Sequence, residues 1–279
     1  MTIRVVTDST ADLPPALVRD LGITVVPLTV NFGTASFRDG IDISAEEFYE
    51  RLPQADPLPT TSQPTPADFL HVYQTLSNRA DGILSIHISQ KLSGTYNSAV
   101  LARESMGNSP SPIEIVDSLQ ASGGLGLIVA KAAAAAGAGA DLKEACALTH
   151  DLIGRTHFFG TVDTLRYLYK GGRIGRAQAL MGTLLAIKPI IGMKDGEVHP
   201  FGKARTRKKV IAQLIEMARE LTPIEETVVL HSTTPDEAEE IMKELAAITG
   251  RACLYGSRIG PVIGTYLGPG TIAIAVLKK

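Results

Sequence analysis

The residues best placed to do chemistry in this 279-residue chain lie between Gly82 and Ala99. A short apolar run from Gly82 to Ile88 gives way to the turn Ser93-Gly94-Thr95, which opens a segment with helical spacing from Tyr96 to Met106. The pattern predicts strand, loop and helix. In a parallel sheet such a loop lies at the carboxyl end of its strand, where open α/β folds bind their ligands. The N–H groups of Gly94, Thr95 and Tyr96 would be unpaired in the first helical turn, at the positive end of the helix dipole, and Ser93 adds a hydroxyl. That set suits a small anion: a carboxylate, a phosphate or an oxyanion. The competing structural reading makes Ser93 a simple helix cap.

Other chemistries find less support. A hydrolase would use Ser93 as nucleophile, His87 or His231 as base, and Asp8 or Asp117 as orienter, but the chain has no Gly-x-Ser-x-Gly elbow. The six histidines show no i, i+4 pair and no Cys partner at ligand spacing, so no metal site is expected. Thr7 to Pro14, after the first expected strand, contains no glycine with which to cradle a nucleotide phosphate. What stands out is an anion site with no catalytic residue and no cofactor. Positive charge collects at Arg166, Lys170, Arg173 and Arg176, and again at Lys203, Arg205, Arg207, Lys208 and Lys209. On a chain of net charge −2 these are local patches for an acidic partner, phosphates or lipid headgroups. For Arg207 to Lys209 alone the solvated face of a helix is the better explanation; it suits Arg173, set between Gly172 and Ile174, less well.

The elements that must position these residues alternate. Ile3 to Thr7 and Ile23 to Val30 read as strands, with a helix from Pro14 or Pro15 to a stop at Gly22 between them. Ser44-Ala45-Glu46-Glu47 has capping-box spacing and predicts a helix through Arg51. Leu52 to Pro66 carries five prolines, which exclude a regular helix or a central strand, and it ends in a hydroxyl-rich turn, Thr60-Thr61-Ser62-Gln63-Pro64. Thr65 and Pro66 then start a helix to about Arg79. Ile113 to Val116 is a strand and Ala121 to Ala140 a buried Ala-rich helix. The N-terminal part is therefore an α/β domain around a mainly parallel, doubly wound sheet. A helix from Asp141 leads to a strand at His157, where a different unit begins. The expected domains are 1–154 and 155–279, the second also α/β, with a hairpin turn at Asp195-Gly196, helices at 206–221 and 235–248, and a final strand at 271–277. No signal peptide is visible, and the two cysteines, Cys146 and Cys253, lack metal or redox spacing, so a cytoplasmic protein is expected. The balance of charge argues against a nucleic-acid-binding protein.

Five stretches resemble the signatures of the DegV family, in the family's order and across essentially the whole chain. They are Thr7 to Pro14, Thr61-Ser62-Gln63-Pro64, Ser93 to Ala99, Lys170-Gly171-Gly172-Arg173-Ile174, and Gly260-Pro261-Val262-Ile263-Gly264 through Gly268-Pro269-Gly270. The resemblance implies a two-domain α/β protein that binds a long-chain fatty acid between its domains, as the B subunit of bacterial fatty acid kinase does. It implies no catalytic centre in this chain. In that family the bound acid is presented to a separate ATP-dependent kinase subunit, which makes an acyl phosphate for phospholipid synthesis, and the resemblance implies the same here. By the same resemblance Thr61 and Ser93 would hold the carboxylate, with Tyr266 at a family position of that network; the hydroxyl loop and the helix start add Ser62, Gly94 and Thr95. The basic clusters, with Arg173, Lys203 and Arg205, are read as the contact with the kinase and with a membrane surface touched transiently. The family usually has His at the position of Tyr266; a phenol can donate a hydrogen bond but cannot become cationic as imidazole can. The rival reading is a serine esterase or phosphotransfer enzyme using Ser93.

An acyl tail gains roughly 0.8 kcal/mol per buried methylene, offset by the ordering of the chain. Its carboxylate then needs several strong donors. Small residues in Ala132 to Ala140 and the apolar run Ala179 to Ile191 could leave room for the tail, although core packing accounts for both equally.

Overall fold

The computed structural model describes residues 2–107, 109–181 and 187–279. Residues 182–186, within the apolar run at 179–191, lie outside the described residues.

A first, four-stranded parallel sheet holds β1 (Ile3–Asp8), β2 (Thr24–Val26), β6 (Gly82–His87) and β7 (Ile113–Asp117) in the order β2-β1-β6-β7. Neighbouring residues of β1 show why its side chains hardly alternate in polarity. Val6 faces Phe69 and Tyr73 of α3 (Pro66–Ser77) and Ala99 of α4 (Thr95–Ser105), while Val5 faces Leu125 and Val129 of α5 (Ser122–Gly137). Both faces are covered, as a parallel sheet requires. Thr65 and Asp68 close a capping box at the start of α3, and Asp141 and Glu144 do the same for α6 (Leu142–Arg155). The helix α1 (Pro15–Asp20) stops ahead of Gly22.

The second sheet has six strands in the order β10-β9-β8-β13-β11-β12. These are β8 (Thr156–Thr161), β9 (Lys188–Lys194), β10 (Glu197–Ala204), β11 (Ile224–His231), β12 (Tyr255–Arg258) and β13 (Ile272–Lys278), antiparallel except for the pair β11 and β12. Asp195 and Gly196, both at positive φ, make the expected β9–β10 turn. One face carries α8 (Arg207–Glu220) and α9 (Pro235–Thr249); the other packs on α5. The composition of α5 follows from its place between two sheets: a Cβ on Gly123 would run into Leu230 of β11, and one on Gly126 would meet Tyr255 and the Ala11 carbonyl. No described helix is long and apolar enough to cross a membrane.

A small antiparallel sheet of β3 (Thr29–Phe32), β4 (Ala35–Arg38) and β5 (Thr60–Ser62), in the order β4-β3-β5, packs with α2 (Ala45–Arg51) and α10 (Pro261–Leu267). Three local readings change here. The single strand expected over Ile23 to Val30 is divided, with β2 in the first sheet and β3 in this one. Pro27 falls between them, where it can supply no ladder N–H. Thr60 to Ser62, expected as a turn, is an edge strand between the prolines rather than through them. The strand β12 and the helix α10 have no counterpart in the sequence reading. The chain also includes α7 (Arg166–Lys170), followed by Gly171-Gly172.

Candidate functional site

A cavity of ≈ 900 Å³, counting its part open to solvent, lies among the loops at the carboxyl ends of β1 and β6, the inner face of the second sheet, and α10. Strand alternation decides which residues reach it. Phe158, Gly160 and Val162 enter from β8 and its end, Ile191 and Met193 from β9, Val198 from β10 and Ala273 from β13. The helix α10 supplies Val262, Ile263, Tyr266 and Leu267, and Ile88 and Leu92 come from the loop after β6. The result is a largely apolar channel with polar groups gathered at one place.

That place joins three of the signature stretches. Thr61 Oγ1 and the Tyr266 hydroxyl lie 2.6 Å apart, although 205 residues separate them in sequence. Ser93 Oγ is 2.8 Å from Thr95 Oγ1 and accepts from the Thr95 N–H at 3.3 Å. Thr61, Gln63, Ser93, Arg173 and Tyr266 all line the cavity. The helix cap is Gly94 rather than Ser93, and no side-chain hydrogen bond caps α4. Gly94 is also a contact point: a Cβ there would sit 2.6 Å from Gln63 Oε1 and 2.7 Å from Gln63 Cδ. The lack of a side chain leaves room for the Gln63 amide against the start of α4, where Thr61 and Ser93 line one cavity.

Arg173 stands beside this group. Its guanidinium carbon is 5.2 Å from the centroid of the Tyr266 ring, and it donates to the carbonyls of Leu92 and Gly171 at 3.2 and 2.9 Å. The sequence reading assigned it to a partner surface; it is exposed and also lines the cavity, with its charge next to the phenol. Ser62 points away, as alternation along β5 dictates, and accepts from the Asn31 amide at 3.1 Å. Thr95 is fully buried. Lys203 and Arg205 are exposed at the end of β10 and are not among the cavity residues. None of Ala132 to Ala140 lines the cavity, and of the described residues in 179–191 only Ile191 does. The residues of the second sheet that form the channel were missed; the alternation Phe158-Phe159-Gly160-Thr161-Val162 was the available signal.

Among the described residues that line the cavity, no nucleophile is paired with a base. His87 Nδ1 does meet Asp8 Oδ2 at 3.0 Å, but its Nε2 meets Ser85 Oγ at 2.7 Å, and Ser85 in turn bonds the Tyr73 hydroxyl at 2.8 Å. All four side chains are fully buried. The described partner of Ser93 is Thr95, not a histidine. Among the described residues no group of three or more His, Cys, Asp and Glu could hold a metal ion. Chemically, the site offers hydroxyl donors and a nearby cation to an anionic head, and an apolar channel to what is attached to it.

A family profile described as "Uncharacterised protein, DegV family" matches residues 2–279. The chain is 38% identical to a DegV domain-containing protein of Streptomyces coelicolor over 282 residues, 99% of each chain. Among solved structures, it is similar to one described as fatty acid binding of a DegV family protein from Thermus thermophilus, with 36% identity, a TM-score of 0.92 and 100% of each chain covered. It is also similar to a stearic-acid-binding protein from Eubacterium ventriosum, at 28% identity, a TM-score of 0.90, and 99% and 98% of the two chains.

Proposed function

The chain belongs to the DegV family, and on that premise we propose that it binds a long-chain fatty acid and presents the carboxylate to a separate ATP-dependent kinase subunit. The observation that carries the binding step is the meeting of Thr61, Ser93, Tyr266 and Arg173 in the wall of one largely apolar cavity. A carboxylate leaving water needs several donors, and the hydroxyls of Thr61, Ser93 and Tyr266 provide them with a cation nearby. The stearic-acid-binding relative supports a ligand of that chain class. The division of labour between residues 1–154 and 155–279, with the ligand between them, belongs to the same proposal.

The presenting step has separate support. A binding site with no nucleophile–base pair calls for a second protein to act on the exposed head, and Lys203 and Arg205 form an exposed basic surface for one. The test uses two variants. Thr61→Val with Ser93→Ala should weaken fatty acid binding, and unchanged affinity would end the head-group assignment. Charge reversal at Lys203 and Arg205 should leave affinity intact and lower acyl phosphate formation by an added kinase subunit; undiminished turnover would remove that surface from the account.

A further inference from the structure

The helix α10 carries Tyr266, yet its start is held from the other side of the cavity by two buried carboxyl groups that the head-group reading does not use. Gly260 N–H donates to Asp12 Oδ1 at 2.8 Å, and the Val262 N–H bonds Asp39. Asp12 follows β1 and Asp39 follows β4, so both belong to the N-terminal half. Pro261 between the two donors has no N–H. Fit is close as well: a Cβ on Gly260 would lie 2.9 Å from Asp12 Oδ1 and 3.3 Å from Asp39 Oδ1.

Two features mark this as a constrained arrangement rather than ordinary capping. Asp12 and Ser122 bond each other at 2.5 Å, and each has φ of +51, a conformation that non-glycine residues adopt at a cost. Asp12 and Asp39 are each only 6% exposed, and Asp39 Oδ2 has no hydrogen-bond partner. A buried acceptor left unpaired is costly unless the site serves something else.

We propose that Asp12 and Asp39 are positioning residues for the head-group site: they fix the first turn of α10 and thereby the reach of Tyr266 towards Thr61. The proposal rests on the reading of Tyr266 as a head-group ligand. Burial pushes Asp12 up to about 8 and Asp39 up to about 7, against the hydrogen bonds they accept. The groups facing the pair are Asp8 at the end of β1, Tyr49 of α2, and Tyr255 and Arg258 of β12, whose guanidinium carbon lies 5.3 Å from the Tyr49 ring centroid.

The experiment has one arm without ligand and one with it, both at pH 7. In protein labelled with 3-fluorotyrosine, the Tyr266 fluorine resonance, assigned through Tyr266→Phe, should be displaced in Asp12→Ala and in Asp39→Ala, which remove the acceptors from the first turn of α10. A resonance that shifts in neither variant overturns the proposal, whether or not the protein binds fatty acid. In the second arm, Asp12→Ala should lower oleate affinity roughly tenfold alone but less than about twofold in a Tyr266→Phe background. Equal losses in both backgrounds mean that Asp12 does not act through Tyr266 and also overturn it. Absence of oleate binding in the unaltered protein instead refutes the head-group reading and leaves the fluorine result to decide the positioning claim. If Asp12→Ala does not fold, Asp39→Ala and Ser122→Ala carry both arms.

Discussion

Replacing Tyr266 by Phe removes one oxygen atom from the site and little else. The ring remains, so the stacking of Arg173, 5.2 Å from its centroid, is preserved, as is the apolar contact with the cavity. What is lost is the hydroxyl 2.6 Å from Thr61 Oγ1. In the free protein the change is mild, because Thr61 is only half-buried and can turn to water. In the complex, the hydroxyl would donate to a carboxylate, and a hydrogen bond to a charged group contributes about 1.5–3 kcal/mol. The partly open site places the loss near the lower end, so affinity should fall about tenfold to thirtyfold at pH 7.5. The thermal midpoint should move by less than about 2 °C. Displacement of a fluorescent fatty acid, read alongside a melting curve, measures both. An unchanged dissociation constant would show that the phenol does not touch the head group and that the convergence of Thr61 and Tyr266 is structural only.

Tyr266→His should restore a group that can become cationic, so affinity for fatty acid should rise as pH falls through about 6.5, a dependence absent from Tyr266→Phe. Gly94→Ala displaces only the flexible amide end of Gln63 and should weaken binding no more than Gln63→Ala, measured by the same displacement assay. Val198→Phe adds a ring to the channel wall and should shorten the acyl chain accepted by about two to four carbons while sparing decanoate, read from affinities across a chain-length series. Stability should fall as pH rises from 6.5 to 9. Asp12 and Asp39 have folded values raised above the unfolded one, so ionisation is penalised in the fold and their contribution is lost as pH climbs through those values. His157 and His231, held below their usual range by burial, lose stability only as pH drops below about 6.5, outside this window. Melting curves at the two ends of the window test this, and Asp39→Asn should flatten the slope.

Local signals in the sequence were sufficient wherever one element decides its own boundaries. The capping residues at Ser44, Thr65 and Asp141, the Gly22 stop and the Asp195-Gly196 turn all sit where their chemistry puts them. The strand, loop and helix from Gly82 to Ser105 were legible for the same reason: the apolar run and the Ser93-Gly94-Thr95 turn act within a few residues of one another. What was not legible depends on long-range pairing. β5 is a strand only because β3 offers it an edge, and β12 lies beside β11 without an apolar run of its own. The channel wall is set by which face of the second sheet turns towards α5, a fact that no single strand contains. Arg173 shows the same limit. Its charge and its glycine neighbours were visible, but its place against Tyr266 needs a contact across 93 residues, from α10 to the loop after α7.

The measurement that bears most directly on the central claim is mass spectrometry of an organic extract from protein purified without added lipid, paired with the same extraction after loading with fatty acids and washing. The account predicts about one free long-chain fatty acid per chain in the loaded sample, and a marked loss of it when Thr61→Val and Ser93→Ala are combined. An extract that stays empty after loading, from folded protein, would contradict fatty acid binding itself.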